Sequence, residues 1–259
     1  MTKTKLPTFS GKPLIEIPAF IPSANFLKGD FGKAFLEEYQ ERVKSDYNGN
    51  SNLKVLKYED NVVRGSNPFV VVLANQILRQ EGLRTATQAD LEKALRVGAL
   101  NLRGFYEDTG LVLRSEEDKD YSKNTPLAKD LTEQLKERRI KFSPKNPIMI
   151  PLIGFELETE ENQYGLTFKL RKDAEIYESL VLAKGGQFSS QDIDEKTGLP
   201  RQIGNGNRTL YTRDSGLSGL ILDYGLDLDY DGRDLDGSDA YGRVVVVSGE
   251  ATSQEKSKK

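Results

Sequence analysis

The sequence predicts an α+β protein in which a mainly helical N-terminal half is followed by a mainly antiparallel β half, built as a sheet, a sandwich or a partly open barrel. Apolar residues recur every three to four positions up to about residue 142, and from Pro147 onward the period drops to two. Prolines at 7, 13, 18 and 22 forbid a helix at the start, so residues 1–25 read as an extended, proline-rich arm.

The first helix is expected over 30–46. Phe31, Phe35, Tyr39, Val43 and Tyr47 share one stripe, Leu36 widens it, and Asp30 stands at the cap position. The segment 52–58, "NLKVLKY", alternates loosely and reads as a short strand. In "SNPFVVVLANQILRQEG", Asn67 can cap, Pro68 suits the first helical position and Gly82 suits the residue past the end, so a buried helix is expected despite the Val70–Val72 run. Thr87 and Asp90 form a capping-box pair for a third helix. A fourth is expected with Thr125 as cap and Pro126 at its start, with Leu127, Leu131 and Leu135 on one face, after a polar connection over 116–124 that reads as a mobile loop.

"SPKNP" (143–147) divides this helical region, 26–142, from the β region, 147–250. There "LIGFELETEENQYGLTFKLRK" reads as a hairpin, with Phe155 and Leu157 inward on one strand and Leu166, Phe168 and Leu170 on the other. Further strands are expected over 174–182, 208–213, 219–230 and 243–248, the last apolar on both faces and therefore central. Residues 185–207 form a long turn-rich excursion, and 251–259 a disordered polar tail.

Composition excludes several chemistries. The 259 residues contain no His and no Cys, which removes Ser-His-Asp and thiolate catalysis, imidazole and thiolate metal sites, and disulfides. The scarcity of oxidisable residues beside 30% charged residues leans toward thermophile composition. No apolar run has the length of a signal peptide or a membrane span, so a soluble, cytoplasmic protein without a membrane partner is the default expectation.

The most chemical stretch is "DLDYDGRDLDGSD". Asp227, Asp229 and Asp231 at alternate positions before Gly232 match the opening of a Ca²⁺ loop, and Asp234 and Asp236 extend the set. Against that, the ninth position is Leu235 and the twelfth is Ser238, where a ligand and a bidentate Glu are needed. The Leu/Asp alternation from 222 to 230 instead places the carboxylates on one solvated strand face. Bound Ca²⁺ or Mg²⁺ is the alternative, and no other cofactor is implied.

A second pattern runs over 77–114, two helices followed by a hairpin-like segment in winged-helix order, with Arg84, Lys93, Arg96 and Arg103 available to phosphates. Interspersed Glu81, Asp90, Glu92, Glu107 and Asp108, and a pI of 5.4, weigh against nucleic acid. "KTG" (196–198), "GNGN" (204–207) and "GLSG" (216–219) lack the partners their motifs require.

These readings predict a non-enzymatic binding or assembly module, with a protein partner or self-association through the β region. The alternatives are a divalent-metal hydrolase using the Asp cluster and a winged-helix-like nucleic-acid binder.

Overall fold

The structure is a computed structural model that describes residues 8–9, 12–13, 24–232 and 234–248. In chain order it begins with β1 (Thr8–Phe9), β2 (Lys12–Pro13), β3 (Ala24–Phe26), α1 (Gly29–Asp46), β4 (Lys57–Glu59), β5 (Val62–Arg64), α2 (Pro68–Gln80), β6 (Leu83–Thr85) and α3 (Gln88–Arg96). Then come β7 (Tyr106–Leu113), α4 (Thr125–Glu137), β8 (Ile148–Pro151), β9 (Phe155–Thr159), β10 (Leu166–Leu170) and β11 (Tyr177–Glu178). The chain closes with β12 (Gly186–Phe188), β13 (Arg208–Tyr211), β14 (Leu217–Leu222), β15 (Leu228–Asp229), β16 (Gly242–Arg243) and β17 (Val245–Ser248). Of the expected arm only β1, β2 and residues 24–25 are described, and the expected tail lies outside the described residues.

The four helices are short and scattered among strands, so the expected helical half followed by an antiparallel β half is wrong. Two features overturn it. β7, inside the supposed helical region, is an inner strand of a curled mixed sheet ordered β11-β8-β7-β14-β15-β13-β12, with β16 also pairing to β7. The sheet is mixed because β13 runs parallel to β15 and β16 parallel to β7. At the other end of the chain β17 lies between β3 and β6, so C-terminal residues complete a three-stranded sheet with N-terminal ones.

β7 escapes a reading of alternation because every one of its eight residues is buried, including Glu107, Asp108 and Thr109. The strand accommodates this polar run with a bulge: Leu220 faces Gly110 and Ile221 faces Asp108, so Thr109 has no cross-strand partner and donates its hydroxyl to the Leu220 carbonyl at 3.1 Å. Asp108 accepts from Ser66 Oγ at 2.5 Å.

α2 is the core helix. It is buried continuously from Pro68 to Asn75 and again at Ile77 and Leu78, which explains its near-uniform apolar sequence. Asn67 caps it by accepting from Val70 N at 2.9 Å, and Gly82, with φ +71°, turns the chain out of it. Phe69 stacks face to face on Phe168 of the β9–β10 hairpin, centroids 4.7 Å apart. That hairpin has the register Glu156↔Lys169 and Glu158↔Thr167, with its apolar residues turned to α2 and α4. One apolar cluster runs from Leu27 to Val246, and a second gathers α3 against β12, β13, β14 and β17.

Smaller expectations also change. Thr125 is the first residue of α4 rather than its cap, because a 3-10 turn (Ser122–Asn124) leads straight into the helix. Residues 116–124 are pinned by Asp118, buried in an ion pair with Arg213 and accepting from the N–H groups of Asp120 and Tyr121. The strand expected over 219–230 breaks at Asp223–Asp227, where Asp223 accepts from Gly225 N and Asp227 N and Leu226 takes φ +73°. That side chain-to-backbone capping makes a turn out of what reads as alternation.

Candidate functional site

Three distant segments meet around an open cleft of about 670 Å³, within the usual range for small-molecule sites. One wall is the end of α2, β6 and the first turn of α3. The other is the end of β8 with the chain from Arg171 to Tyr177, and Lys196 and Thr197 close the rim. Its apolar lining comes from Leu83, Pro151, Ile153 and Ala174.

Local sequence rules fix these walls. The capping box is present at α3: Thr87 Oγ1 accepts from Asp90 N at 3.3 Å, and the Asp90 carboxylate accepts from Thr87 N at 2.8 Å. At the rim, Asp194 Oδ1 accepts from Lys196 N, Thr197 N and Thr197 Oγ1, which holds a tight turn. The next residue, Gly198, has φ +72°, and a Cβ there would lie 2.5 Å from Ala89 N. Only glycine lets this turn sit so near the start of α3.

The charged groups of the cleft are largely paired with one another. Arg84 grips Asp90 with two bonds, the longer 2.9 Å, while Arg171 donates to Asp173 at 2.7 Å and Lys196 lies 3.6 Å from Glu175. Burial pushes the Asp90 carboxyl up, but Arg84 and the bonds from Thr87 outweigh it and hold the group below the usual range. Tyr177 donates to Glu175, and its hydroxyl is raised by burial first and then by that carboxylate.

Asn75 is the exception to this pairing. Fully buried on α2 and bordering the cleft, it accepts from Thr85 N through Oδ1 at 3.2 Å, and its Nδ2 has no hydrogen-bond partner. The bond from Thr85 fixes which end of the amide is the donor.

The residues singled out from the sequence lie elsewhere, apart from Arg84. Lys93 and Arg103 are exposed on α3 and in the loop before β7, and Arg96 is held by Glu195 at 2.9 Å. Residues 106–113, read as part of a hairpin in winged-helix order, are the buried strand β7. The Asp group also separates: Asp227 accepts from Thr209 N at 2.6 Å, Asp236 pairs with Lys123 at 2.5 Å, and Asp231 is exposed. Asp229 and Asp234 do meet, with Asp108 and Tyr106, around a cavity of about 40 Å³ that admits water-sized occupants. Burial, then the charges of Asp231 and Asp223, push Asp229 up to about 6. Among the described residues no group of three or more carboxylates is arranged to hold a metal ion. No helix among them is long and apolar enough to cross a membrane.

Sequence reasoning missed Asn75, Arg79, Arg171, Tyr177 and Lys196 as one constellation, because up to 121 positions of chain separate them. The one local signal is the adjacent pair of amides, Asn75 and Gln76, inside the apolar run "FVVVLANQIL", of which Asn75 is the buried one. Comparison with known proteins supplies no family: no family model, no curated protein and no solved structure matches the chain.

Proposed function

We propose that the protein is a binding module whose small-molecule ligand occupies the cleft between α2, β6 and α3 on one side and the Arg171–Tyr177 segment on the other. The observation that supports this most is the cleft's combination of ligand-scale volume with a lining of apolar and oriented polar groups. Its ion pairs are formed before any ligand arrives, so little ordering cost attaches to binding.

The test is a thermal-shift screen of small organic acids, amides, sugars and nucleosides against wild type and Ala174→Phe, which narrows the cleft. A ligand at one hundred times its Kd stabilises the folded form by about 2.7 kcal/mol. That is a rise of roughly 5–10 °C at this chain length. Compounds that stabilise wild type and lose their effect in the variant support the reading, whereas equal shifts in both proteins place binding elsewhere.

A further inference from the structure

Resting on that binding reading, we infer that the ligand presents an oxyanion, a carboxylate or a phosphate, to Asn75 Nδ2 and the positive end of α3.

Donors and acceptors in the cleft do not balance. Each carboxylate of the cleft already holds a donor or a cation: Asp90 receives Arg84 twice and both the amide and hydroxyl of Thr87, Asp173 receives Arg171, and Glu175 receives Tyr177 and faces Lys196. What is left over is donor capacity. Asn75 Nδ2 is a buried N–H₂ without an acceptor, a costly state in a native core. α3 begins at the cleft with Thr87 and Ala89 in its wall; its capping box already satisfies Asp90 N, and what the nine-residue helix offers an anion is the positive end of its dipole. The charge balance runs the same way, with Arg79, Arg84, Arg171 and Lys196 against Asp90, Asp173 and Glu175. A cationic ligand would compete with Arg84, Arg171 and Lys196 for these carboxylates and would leave Asn75 unsatisfied. An oxyanion accepts from Asn75 and adds to the field of the guanidinium groups.

The test is a ¹H–¹⁵N titration of the full chain at matched ionic strength with inorganic phosphate, succinate and neutral succinamide, following the Asn75 side-chain amide and the Arg84 Nε–H. Saturable shifts with phosphate or succinate, and none with succinamide, are expected, and the stronger of the two anions identifies the source. Asn75→Asp keeps the acceptor for Thr85 N and removes the donor, and the exposed Arg79→Glu reverses a rim charge without touching the core. Each is expected to weaken anion binding at least about 10-fold. Anion shifts unchanged in Arg79→Glu, or in a folded Asn75→Asp, overturn the inference. Equal binding of succinamide overturns the oxyanion assignment and leaves the cleft as a binding site, while no shift with any probe overturns both.

Discussion

α3 is joined to the large sheet by one buried ion pair, and removing half of it should be costly in a way that removing both halves is not. Glu92 on α3 and Arg208 on β13 meet through two bonds of 2.7 and 2.8 Å, with each side chain only 6% exposed. Gln88 donates to Glu92 at 2.8 Å, and its Oε1 shares the Thr109 hydroxyl, at 3.1 Å, with the Leu220 carbonyl, so the pair is wired to the bulge of β7. The Arg208 guanidinium lies 4.9 Å from the centre of the Phe188 ring. Arg208→Met retains most of the packing volume but leaves a desolvated carboxylate with only Gln88 for company. Losing one partner of such a pair costs about 3–5 kcal/mol, and replacing both by apolar residues is neutral or stabilising. The single variant should therefore melt roughly 6–20 °C below wild type. Glu92→Met/Arg208→Met should return to within about 1 kcal/mol of it. Urea unfolding followed by far-UV circular dichroism measures both, with an unchanged slope confirming that stability rather than compactness has moved. A single-variant loss below about 1 kcal/mol, or a double variant less stable than Arg208→Met, would refute the claim that this pair is sealed from water.

Two further predictions concern buried polar groups. Asp229 has a folded pKa of about 6, above its ordinary value of about 3.9, so the folded state holds the proton more tightly. Its contribution is fully present below about pH 4 and is lost as pH rises through 6. Asp229→Asn, which keeps an acceptor for Asp231 N, should raise the melting temperature at pH 7.5 and leave it unchanged at pH 4; the same difference at both would sink this reading. Tyr164 donates to Asn124 and accepts from Leu235 N at 3.3 Å, joining the hairpin, the start of α4 and the chain after β15. Tyr164→Phe leaves both partners unsatisfied and should cost about 1–3 kcal/mol in urea. A cost within error of zero would mean that water replaces the hydroxyl.

What the sequence made legible was what short-range rules govern. α2 lies between Asn67 and Gly82 as its caps require, the α3 capping box closes between Thr87 and Asp90, and the β9–β10 hairpin sits where alternation puts it. The layer order was hidden for two physical reasons. Glu107 and Asp108 give β7 the look of an exposed hairpin strand, yet burial raises Glu107 strongly and Asp108 accepts from Ser66, an environment that only tertiary partners reveal. β17 reads as a central strand, but nothing local states that its neighbours are β3 and β6, from near the other end of the chain. The cleft was illegible for a related reason, since its walls come from segments that short-range patterns do not connect. Arg84 was noticed as a charge for phosphates, and its side chain is committed to Asp90 six residues on.

Soaking crystals of the protein with a fragment library rich in small carboxylates and phosphates tests the central claim most directly. The account predicts density in the cleft, with an oxygen acceptor within hydrogen-bond distance of Asn75 Nδ2 and an anionic group toward the first turn of α3. Fragments that leave this cleft empty while gathering at another surface, such as the small cavity beside Tyr106 and Asp229, would contradict it.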